Sequence, residues 1–234
     1  MTVQDLARAA LAMRPAQGTF IVGITGSVAS GKSTLARALA SELGAELAAT
    51  DGFLLPNAVL EARGLTARKG FPESYDLAEL ARTLTAARAG PATFPAYSHV
   101  TYDVDPTAAR VIDRPGVLLV EGLALGLDRP PAPGLVDCLI YLDAEEAQLE
   151  AWFVARFMAF WEAAEHDPTS FYARFRGLDR AGAEALAHAV WNGINLPNLR
   201  GHIAPVRAHA DLIAIKGPDH AIVDIVQGLA TPRP

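Results

Sequence analysis

A glycine-rich loop between an apolar run and a helical pattern restricts the fold of this chain more than any other feature. The loop reads Gly26-Ser27-Val28-Ala29-Ser30-Gly31-Lys32-Ser33 and is followed by Thr34. In phosphate-binding loops of this spacing, backbone N–H groups and a helix N-terminus surround the phosphate oxygens, the lysine reaches the outer phosphates and the serine ligates magnesium. We therefore predict that residues 26–34 bind ATP with Mg²⁺; the alternative is a simple glycine turn.

The residues around this loop have the pattern that such a site requires. Residues 20–25 form an apolar run that predicts a buried strand, and residues 33–43, rich in alanine and leucine, predict a helix. Four more short apolar runs predict strands at residues 45–50, 117–120, 138–142 and 212–215. The pattern predicts an α/β protein with the three-layer fold of kinase-type P-loop NTPases, in which a mostly parallel sheet carries helices on both faces.

The chain of 234 residues suits one domain, because no shift in composition divides it. We predict a helical leader over residues 1–18, with a helix at residues 5–13, and a single P-loop domain over residues 19–234. A capping box of Asp143 and Glu146 predicts the start of a helix that ends near residue 164. Residues 88–115 carry several prolines and a polar-aromatic string, which predicts an ordered loop over a site.

Charge and cysteine content exclude several classes of protein. The net charge of -6 and the pI near 5.5 argue against a broad surface for nucleic acid or anionic lipid. Cys138 is the only cysteine, so a disulfide within the chain is excluded and a buried structural thiol is predicted. No apolar stretch reaches the ~20 residues that span a bilayer, and no signal-peptide pattern is present. We expect a cytoplasmic protein that binds neither nucleic acid nor membrane.

Two carboxylates follow predicted strands. Asp51 comes after the strand at residues 45–50, and Glu121 comes after the strand at residues 117–120. Ligands of an open parallel sheet gather at the carboxyl ends of its strands, so both side chains should face the phosphate loop. We assign Asp51 as the general base for a substrate hydroxyl and Glu121, with Ser33, to the magnesium ion. The alternative for each is a helix cap or a surface acid.

Arg156 lies within an aromatic helical pattern, on one face with Trp152 and Phe160. A guanidinium near the equatorial oxygens of a transferring phosphoryl group stabilises the transition state, so Arg156 is a candidate clamp. The alternative is an arginine that reaches solvent or forms a salt bridge. The six histidines lack metal-ligand spacing, and each is interpreted singly as structural.

Lysine is rare in this chain. Lys32, Lys69 and Lys216 are the only lysines, and arginine supplies the other seventeen basic residues. The bias fits genome composition, but lysine at these three positions hints that a compact, flexible ammonium is needed there.

Several longer strings resemble a known family. The chain is similar over residues 21–225 to the bacterial type I pantothenate kinases, in the phosphoribulokinase and uridine kinase superfamily. Besides the phosphate loop, the strings that carry the resemblance are Thr50-Asp51-Gly52-Phe53-Leu54, Lys69-Gly70-Phe71-Pro72-Glu73-Ser74-Tyr75-Asp76, Tyr97-Ser98-His99, Tyr102-Asp103-Val104, Glu121-Gly122-Leu123, Ile194-Asn195-Leu196-Pro197-Asn198-Leu199 and Asp219-His220. The string from Lys69 to Asp76 is the most specific of them.

The resemblance implies a function and a set of site residues. It implies transfer of the ATP γ-phosphate to the primary alcohol of pantothenate, within coenzyme A biosynthesis, with Lys32, Asp51 and Arg156 catalytic. It places Lys216 and His220 beside the nucleotide base, and it implies a homodimer. It also implies that Arg37, with Lys32 and His99, helps to bind an inhibitory coenzyme A. The residues that it places around the substrate are Asp51, Tyr97, His99, Tyr102, Phe153, Arg156 and Asn198.

Three positions depart from the family pattern and leave the acceptor open. Phe153 stands where the family has a tyrosine, and Ala124 stands where it has an asparagine. Glu165 stands where the family has an aromatic residue that lines the substrate pocket. Loss of a hydrogen-bond partner in a polar pocket changes discrimination strongly. A related kinase for a nucleoside, a sugar or another small alcohol therefore remains an alternative, as does a nucleotide-binding regulator without turnover.

Overall fold

The computed structural model describes residues 1–126 and 135–228, which form a six-stranded sheet, a two-stranded ribbon and the helices around them. The helices are α1 Val3–Leu11, α2 Lys32–Leu43, α3 Asn57–Ala62, α4 Leu77–Ala89, α5 Glu146–Ala163, α6 Arg180–Val190 and α7 Leu196–Asn198. The strands are β1 Phe20–Gly26, β2 Glu46–Ala49, β3 Pro91–Ser98, β4 Asp103–Asp113, β5 Val117–Glu121, β6 Cys138–Asp143, β7 Leu212–Lys216 and β8 Ile222–Gln227.

The large sheet has the order β2-β5-β1-β6-β7-β8. All neighbours in it are parallel except β7 and β8, which pair antiparallel. Alternate residues of β1 enter two separate cores. Phe20, Val22 and Ile24 pack with α1 and α2 on one face, whereas Ile21 packs with α4, α5 and α6 on the other. The prediction of a three-layer, mostly parallel α/β fold is therefore confirmed.

Most strands and helices lie where the sequence pattern predicts them, but the capping box at Asp143 is wrong. Asp143 is the last residue of β6, and its carboxylate accepts a hydrogen bond from Arg207 Nε at 2.7 Å. The helix begins at Glu146 after Glu145, without a side-chain cap. Strand pairing with Ile215 extends β6 through the position where the cap was expected.

Residues 88–115 were predicted as a loop and instead form an antiparallel ribbon of β3 and β4. Its register shifts between the Phe94–Arg110 pair and the Ala96–Asp105 pair, which leaves Pro95 and residues 106–109 at a bulge. Prolines are compatible with a ribbon at a strand start and at a bulge. Pro91, Pro95 and Pro106 occupy these places, and Pro115 lies between β4 and β5. Because these prolines interrupt the strand pattern, the sequence did not indicate the two strands.

The ribbon covers the edge of the large sheet at β2. Arg110 donates to the carbonyl oxygen of Leu47 and lies 3.5 Å from the Glu46 carboxylate. The β3 backbone also packs so closely on the turn after β2 that a β-carbon on Gly52 would overlap the Pro95 carbonyl. Covering an edge strand in this way blocks pairing with other chains and brings the ribbon beside the carboxyl end of β2.

Two further expectations concern burial and membranes. Cys138 is fully buried in β6, as predicted for a structural thiol. Within the part of the chain that the structure describes, no helix is long and apolar enough to cross a bilayer.

Candidate active site

The phosphate loop connects β1 to α2 and has positive φ at three of its residues. Gly31 caps α2 with φ of 89°, and Ala29 adopts φ of 63°. Gly26 has φ of 140°, and a β-carbon there would overlap the Leu142 carbonyl of the neighbouring strand. Val28 and Ala29 pack against the core beneath, and Thr34 is exposed on α2. Strand, loop and helix thus have the predicted arrangement.

Lys32 turns back over its own loop. Its Nζ atom donates to the Ser27 carbonyl oxygen at 2.8 Å, and the residue is only 9% exposed. Burial lowers the pKa of Lys32 to about 8, while the charges of Glu121 and Asp51 oppose the shift and that of Arg156 adds to it. The ammonium therefore lies within electrostatic reach of all three charged residues that the sequence assigned to the site.

Two hydroxyl groups in the loop fit a phosphate ligand. The side-chain oxygens of Ser27 and Ser30 are buried and have no hydrogen-bond partner among the described residues. Buried polar groups are nearly always hydrogen-bonded in folded proteins, so unpaired hydroxyls in a phosphate loop indicate room for a polar ligand. Together with the N-terminus of α2, they make the loop compatible with phosphate oxygens.

Ser33 and Glu121 form a pair suited to a magnesium ion. Ser33 Oγ donates to Glu121 Oε1 at 2.7 Å. In residues 1–126 and 135–228, no three His, Cys, Asp or Glu side chains gather into a metal cluster. One hydroxyl and one carboxylate fit Mg²⁺ in a nucleotide site, because this ion takes few protein ligands and completes its octahedron with phosphate oxygens and water.

The ends of β2 and β5 pack closely against each other at the site. Ala49 pairs with Glu121, and Asp51 follows in the turn Thr50–Phe53. A β-carbon on Gly122, which has φ of 148°, would overlap the Thr50 hydroxyl. The two carboxylates therefore lie at neighbouring strand ends, as predicted from the parallel sheet, and their spacing depends on a contact that only glycine permits.

An aromatic wall of Tyr97, His99 and Tyr102 stands at the ribbon tip. The Tyr97 ring lies edge-on to His99 at 5.1 Å and to Tyr102 at 6.0 Å between ring centres. Burial raises the pKa of Tyr102 to about 12, with the charges of Tyr172 and Asp51 adding to the shift. Burial also raises the pKa of Tyr97, again with a contribution from Asp51. The wall therefore adjoins the Asp51 carboxylate.

A cavity of about 220 Å³ opens between this wall and the edge of the sheet. Its lining includes Asp51, Gly52, Tyr97, His99, Arg110 and Glu121. Both predicted carboxylates thus line one open cavity together with two residues of the wall.

Asn198 presents a free acceptor near the same region. The side chain is 5% exposed, and its Nδ2 donates to the Gly70 carbonyl at 2.8 Å. Its Oδ1 atom is buried without a hydrogen-bond partner among the described residues. Asn198 lies between two π-helical turns, Trp191–Asn195 and Leu199–Ile203, a conformation that is frequent at functional sites.

Arg156 keeps its guanidinium available. It is exposed on α5, which also fits the alternative of an arginine that reaches solvent. It makes no hydrogen bond or ion pair within the described ranges, so the salt-bridge alternative is not observed. Its charge acts on Lys32 and opposes the rise in the pKa of Tyr172, which burial causes. Arg156 thus lies within electrostatic range of both Lys32 in the phosphate loop and Tyr172.

Lys216 and His220 lie next to the phosphate loop. Lys216 Nζ donates to the Ser30 carbonyl at 2.8 Å and lies 3.3 Å from His220 Nδ1. The His220 ring stacks on Trp152 with 4.0 Å between ring centres. Trp152 was not predicted as a site residue; the signal for it was its (i, i+4) relation to Arg156.

The three positions that depart from the family pattern, including the predicted substrate residue Phe153, are not in the lining of the cavity beside Asp51. Phe153 is 7% exposed and packs between Phe157 and Trp191 in the core. Glu165 is 61% exposed, and Arg176 donates to it at 3.2 Å, so its charge is paired. Ala124 is buried.

Other implications of the resemblance stay predictions. Arg37 is exposed on α2. The coenzyme A site, the homodimer and the division at residue 18 are not decided by these contacts, although α1 buries Leu6 and Ala10 against α2 and the sheet.

A phosphate loop, a hydroxyl–carboxylate pair and a second carboxylate at the ends of parallel strands define the class of P-loop kinases. The sequence profile of the Phosphoribulokinase / Uridine kinase family matches residues 21–159, and the chain belongs to this family.

Curated relatives and a solved structure agree with this membership. The chain is 45% identical over 219 residues to the pantothenate kinase of Sinorhizobium medicae, covering 86% of this chain and 66% of that protein. It is 45% identical over 224 residues to the pantothenate kinase of Xanthobacter autotrophicus, covering 88% and 69%. The chain thus spans about two thirds of the length of these relatives. A solved structure from Silicibacter sp. TM1040, described as a candidate fructose transport system kinase, is 30% identical with a TM-score of 0.73, covering 91% of this chain and 98% of that chain.

Proposed function

We propose that this protein transfers the γ-phosphate of ATP to the primary alcohol of pantothenate. The observation that carries the proposal is the position of Asp51. It lines one cavity with Tyr97 of the aromatic wall and with Glu121, which is hydrogen-bonded to Ser33 after the phosphate loop. A carboxylate between a phosphate site and a polar aromatic wall is suited to accept the proton of a hydroxyl group. The 45% identity with pantothenate kinases supports pantothenate as the acceptor.

In the proposed reaction, Asp51 accepts the proton of the alcohol while the alcohol oxygen attacks the γ-phosphorus and ADP leaves. Lys32 and Arg156 supply positive charge for the equatorial oxygens of the transferring group. Mg²⁺ held by Ser33 and Glu121 would neutralise phosphate charge. The protein contributes mainly position and electrostatic stabilisation.

The acceptor is proposed to bind between the aromatic wall and Asn198. The unpaired Oδ1 of Asn198 can accept from a hydroxyl or an amide N–H, and both groups are present in pantothenate. On the other side of the loop, the stacked pair of His220 and Trp152, with Lys216, offers a flat surface for the nucleotide base.

A sugar is the second candidate acceptor. The Silicibacter protein has nearly the same extent as this chain, and its described role is in fructose transport.

A panel of alcohols separates these candidates. ADP formation is measured with pantothenate, fructose, other sugars and nucleosides, and the product is identified by mass spectrometry. We expect pantothenate to give the highest kcat/KM, with a phosphate on its primary hydroxyl. A higher value for fructose would overturn the pantothenate assignment, and ATP binding without turnover on any acceptor would favour a regulator.

The Ser33–Glu121 pair predicts how the enzyme depends on magnesium. Glu121→Gln keeps the shape of the side chain but removes its charge, so the Mg²⁺ concentration for half-maximal rate is expected to rise about tenfold. The measurement is a Mg²⁺ titration at saturating ATP. Glu61→Gln, at an exposed position on α3, is the matched control. An unchanged Mg²⁺ requirement in Glu121→Gln would contradict the assignment.

A further inference from the structure

The three lysines of the chain come together around the site although they lie far apart in sequence. Lys32 belongs to the phosphate loop, and Lys216 donates to a carbonyl oxygen of the same loop. Lys69 has no role in the proposed reaction. Burial lowers the pKa of Lys69, and the charges of Asp103 and Asp51 oppose the shift, which places its ammonium near the catalytic carboxylate.

Lys69 contacts both tyrosines of the aromatic wall. Its Nζ atom donates to the carbonyl oxygen of Tyr102 and to Asn57 Oδ1, both at 2.6 Å. The same nitrogen lies 5.0 Å from the ring centre of Tyr97 and 4.5 Å from that of Tyr102, within range of cation–π attraction. Asn57 Nδ2 donates to the Tyr102 carbonyl as well, at 2.9 Å. The Tyr102 carbonyl thus accepts two hydrogen bonds from one pair of side chains.

The backbone held by this pair is strained. Tyr102 has φ of 56°, in the left-handed region that bulky residues rarely adopt. Such a conformation persists only where the surrounding structure over-determines it, and strained residues concentrate at functional sites. The two donors to its carbonyl supply that support, so the direction of the Tyr102 side chain depends on Lys69 and Asn57.

The ribbon tip has few strand pairs of its own and relies on contacts with neighbouring segments. One of these is the Asn57 backbone N–H, which donates to Asp103 Oδ1 at 3.0 Å. Above the bulge, only Ala96–Ser98 and Asp103–Asp105 pair with each other. A two-stranded ribbon of this length is marginal by itself, so docking sets its position. On one side, Phe171 stacks on Tyr102 at 4.3 Å and donates its N–H to the Val100 carbonyl. Lys69 and Asn57 hold the other side.

We infer that Lys69 is a positioning residue, which holds the ribbon tip so that Tyr97 and Tyr102 face the acceptor. This inference rests on the proposed acceptor site but not on which alcohol occupies it. The neighbouring Gly70 carbonyl accepts from Asn198 Nδ2, so residues 69–70 connect the aromatic wall to the candidate acceptor residue on the opposite side. Acceptor binding therefore depends on Lys69, whereas nucleotide binding does not.

The geometry explains why lysine occupies this position in an arginine-rich chain. The two acceptors lie 2.6 Å from a single nitrogen, beneath two aromatic rings. A compact ammonium can donate to both, but the donors of a guanidinium are spread over a flat fork. We therefore expect Lys69→Arg to restore the function only in part.

The test compares Lys69→Met and Lys69→Arg with Asn57→Ala, which removes the other side chain that donates to the Tyr102 carbonyl. Lys69→Met is expected to raise the acceptor KM about tenfold to a hundredfold and to lower kcat less, while the Kd for ATP without acceptor stays within about twofold. Asn57→Ala should change the acceptor KM in the same direction by a smaller factor. Arg68→Met is the matched control, because Arg68 is the adjacent cation but contacts Phe71 and Glu73 instead of the wall.

Amide hydrogen exchange provides a readout that needs no turnover. In Lys69→Met, residues 97–103 are expected to exchange about tenfold faster or more, while the phosphate loop keeps its wild-type rate. This result would support the inference even if the panel of alcohols overturned pantothenate or gave no product. Unchanged exchange at the ribbon tip, an unchanged acceptor KM in both Lys69→Met and Asn57→Ala, or an equal loss of ATP affinity would overturn it.

Discussion

Replacing Asp51 with asparagine is expected to reduce kcat about a hundredfold or more. An amide has nearly the same shape as the carboxylate, but it cannot accept the proton of the attacking alcohol. Because Asp51 lies beyond the phosphate loop, at the end of β2, the Kd for ATP should stay within about twofold of wild type. Steady-state rates and ATP binding by calorimetry measure the two effects separately.

Asp113→Asn is the control for Asp51→Asn. Asp113 is exposed at the last position of β4, and its carboxylate forms an ion pair with the neighbouring Arg114. The same chemical change there should leave kcat unaltered. Near-normal turnover of Asp51→Asn would remove the general-base assignment, and a parallel loss of ATP affinity would move Asp51 to the nucleotide site.

Replacing Lys32 with methionine is expected to lower kcat/KM for ATP about a hundredfold to a thousandfold. Methionine fills much of the same space but removes the ammonium that the phosphate loop presents to the outer phosphates. Arg63→Met, which removes a cation from the exposed end of α3, should have no such effect. A wild-type rate for Lys32→Met would contradict the assignment of the loop.

Lys32→Met is also expected to keep or raise the Tm of the protein at pH 7. Burial lowers the pKa of Lys32 to about 8, so below that pH the charged ammonium is less favourable in the folded chain than in the unfolded chain. That destabilisation is fully present below pH 8 and disappears as the pH rises toward the ordinary lysine pKa. A large fall in Tm would show that Lys32 stabilises the fold, in contradiction to this argument.

The sequence predicted those parts of the site that local pattern determines. The phosphate loop has a fixed spacing, and its strand and helix have clear periodicities. Asp51 and Glu121 could be placed because parallel strands end at one edge, so the position of a residue after a strand implies its side of the sheet. These inferences need no knowledge of how distant segments dock.

The parts that failed depend on contacts between distant segments. The ribbon was missed because its prolines interrupt the strand pattern, and only the pairing of β3 with β4 shows that they lie at a start and at a bulge. The cap at Asp143 was wrong because pairing with β7 extends the strand. Lys69 received no function because its partner, the Tyr102 carbonyl, is 33 residues away and becomes a neighbour only when the ribbon folds back.

The closeness of Thr50 to Gly122 also bears on how such a protein could diverge. Any side chain at Gly122 would push apart the strand ends that carry the two carboxylates, and Gly52 is confined in the same way by Pro95. The strand ends that carry the two carboxylates therefore tolerate few substitutions at these glycines. Among the described residues, the ribbon tip meets the segment around Phe171 through a ring stack and a backbone hydrogen bond. Natural selection can remodel such contacts to suit a new alcohol without disturbing the strand ends that carry the carboxylates.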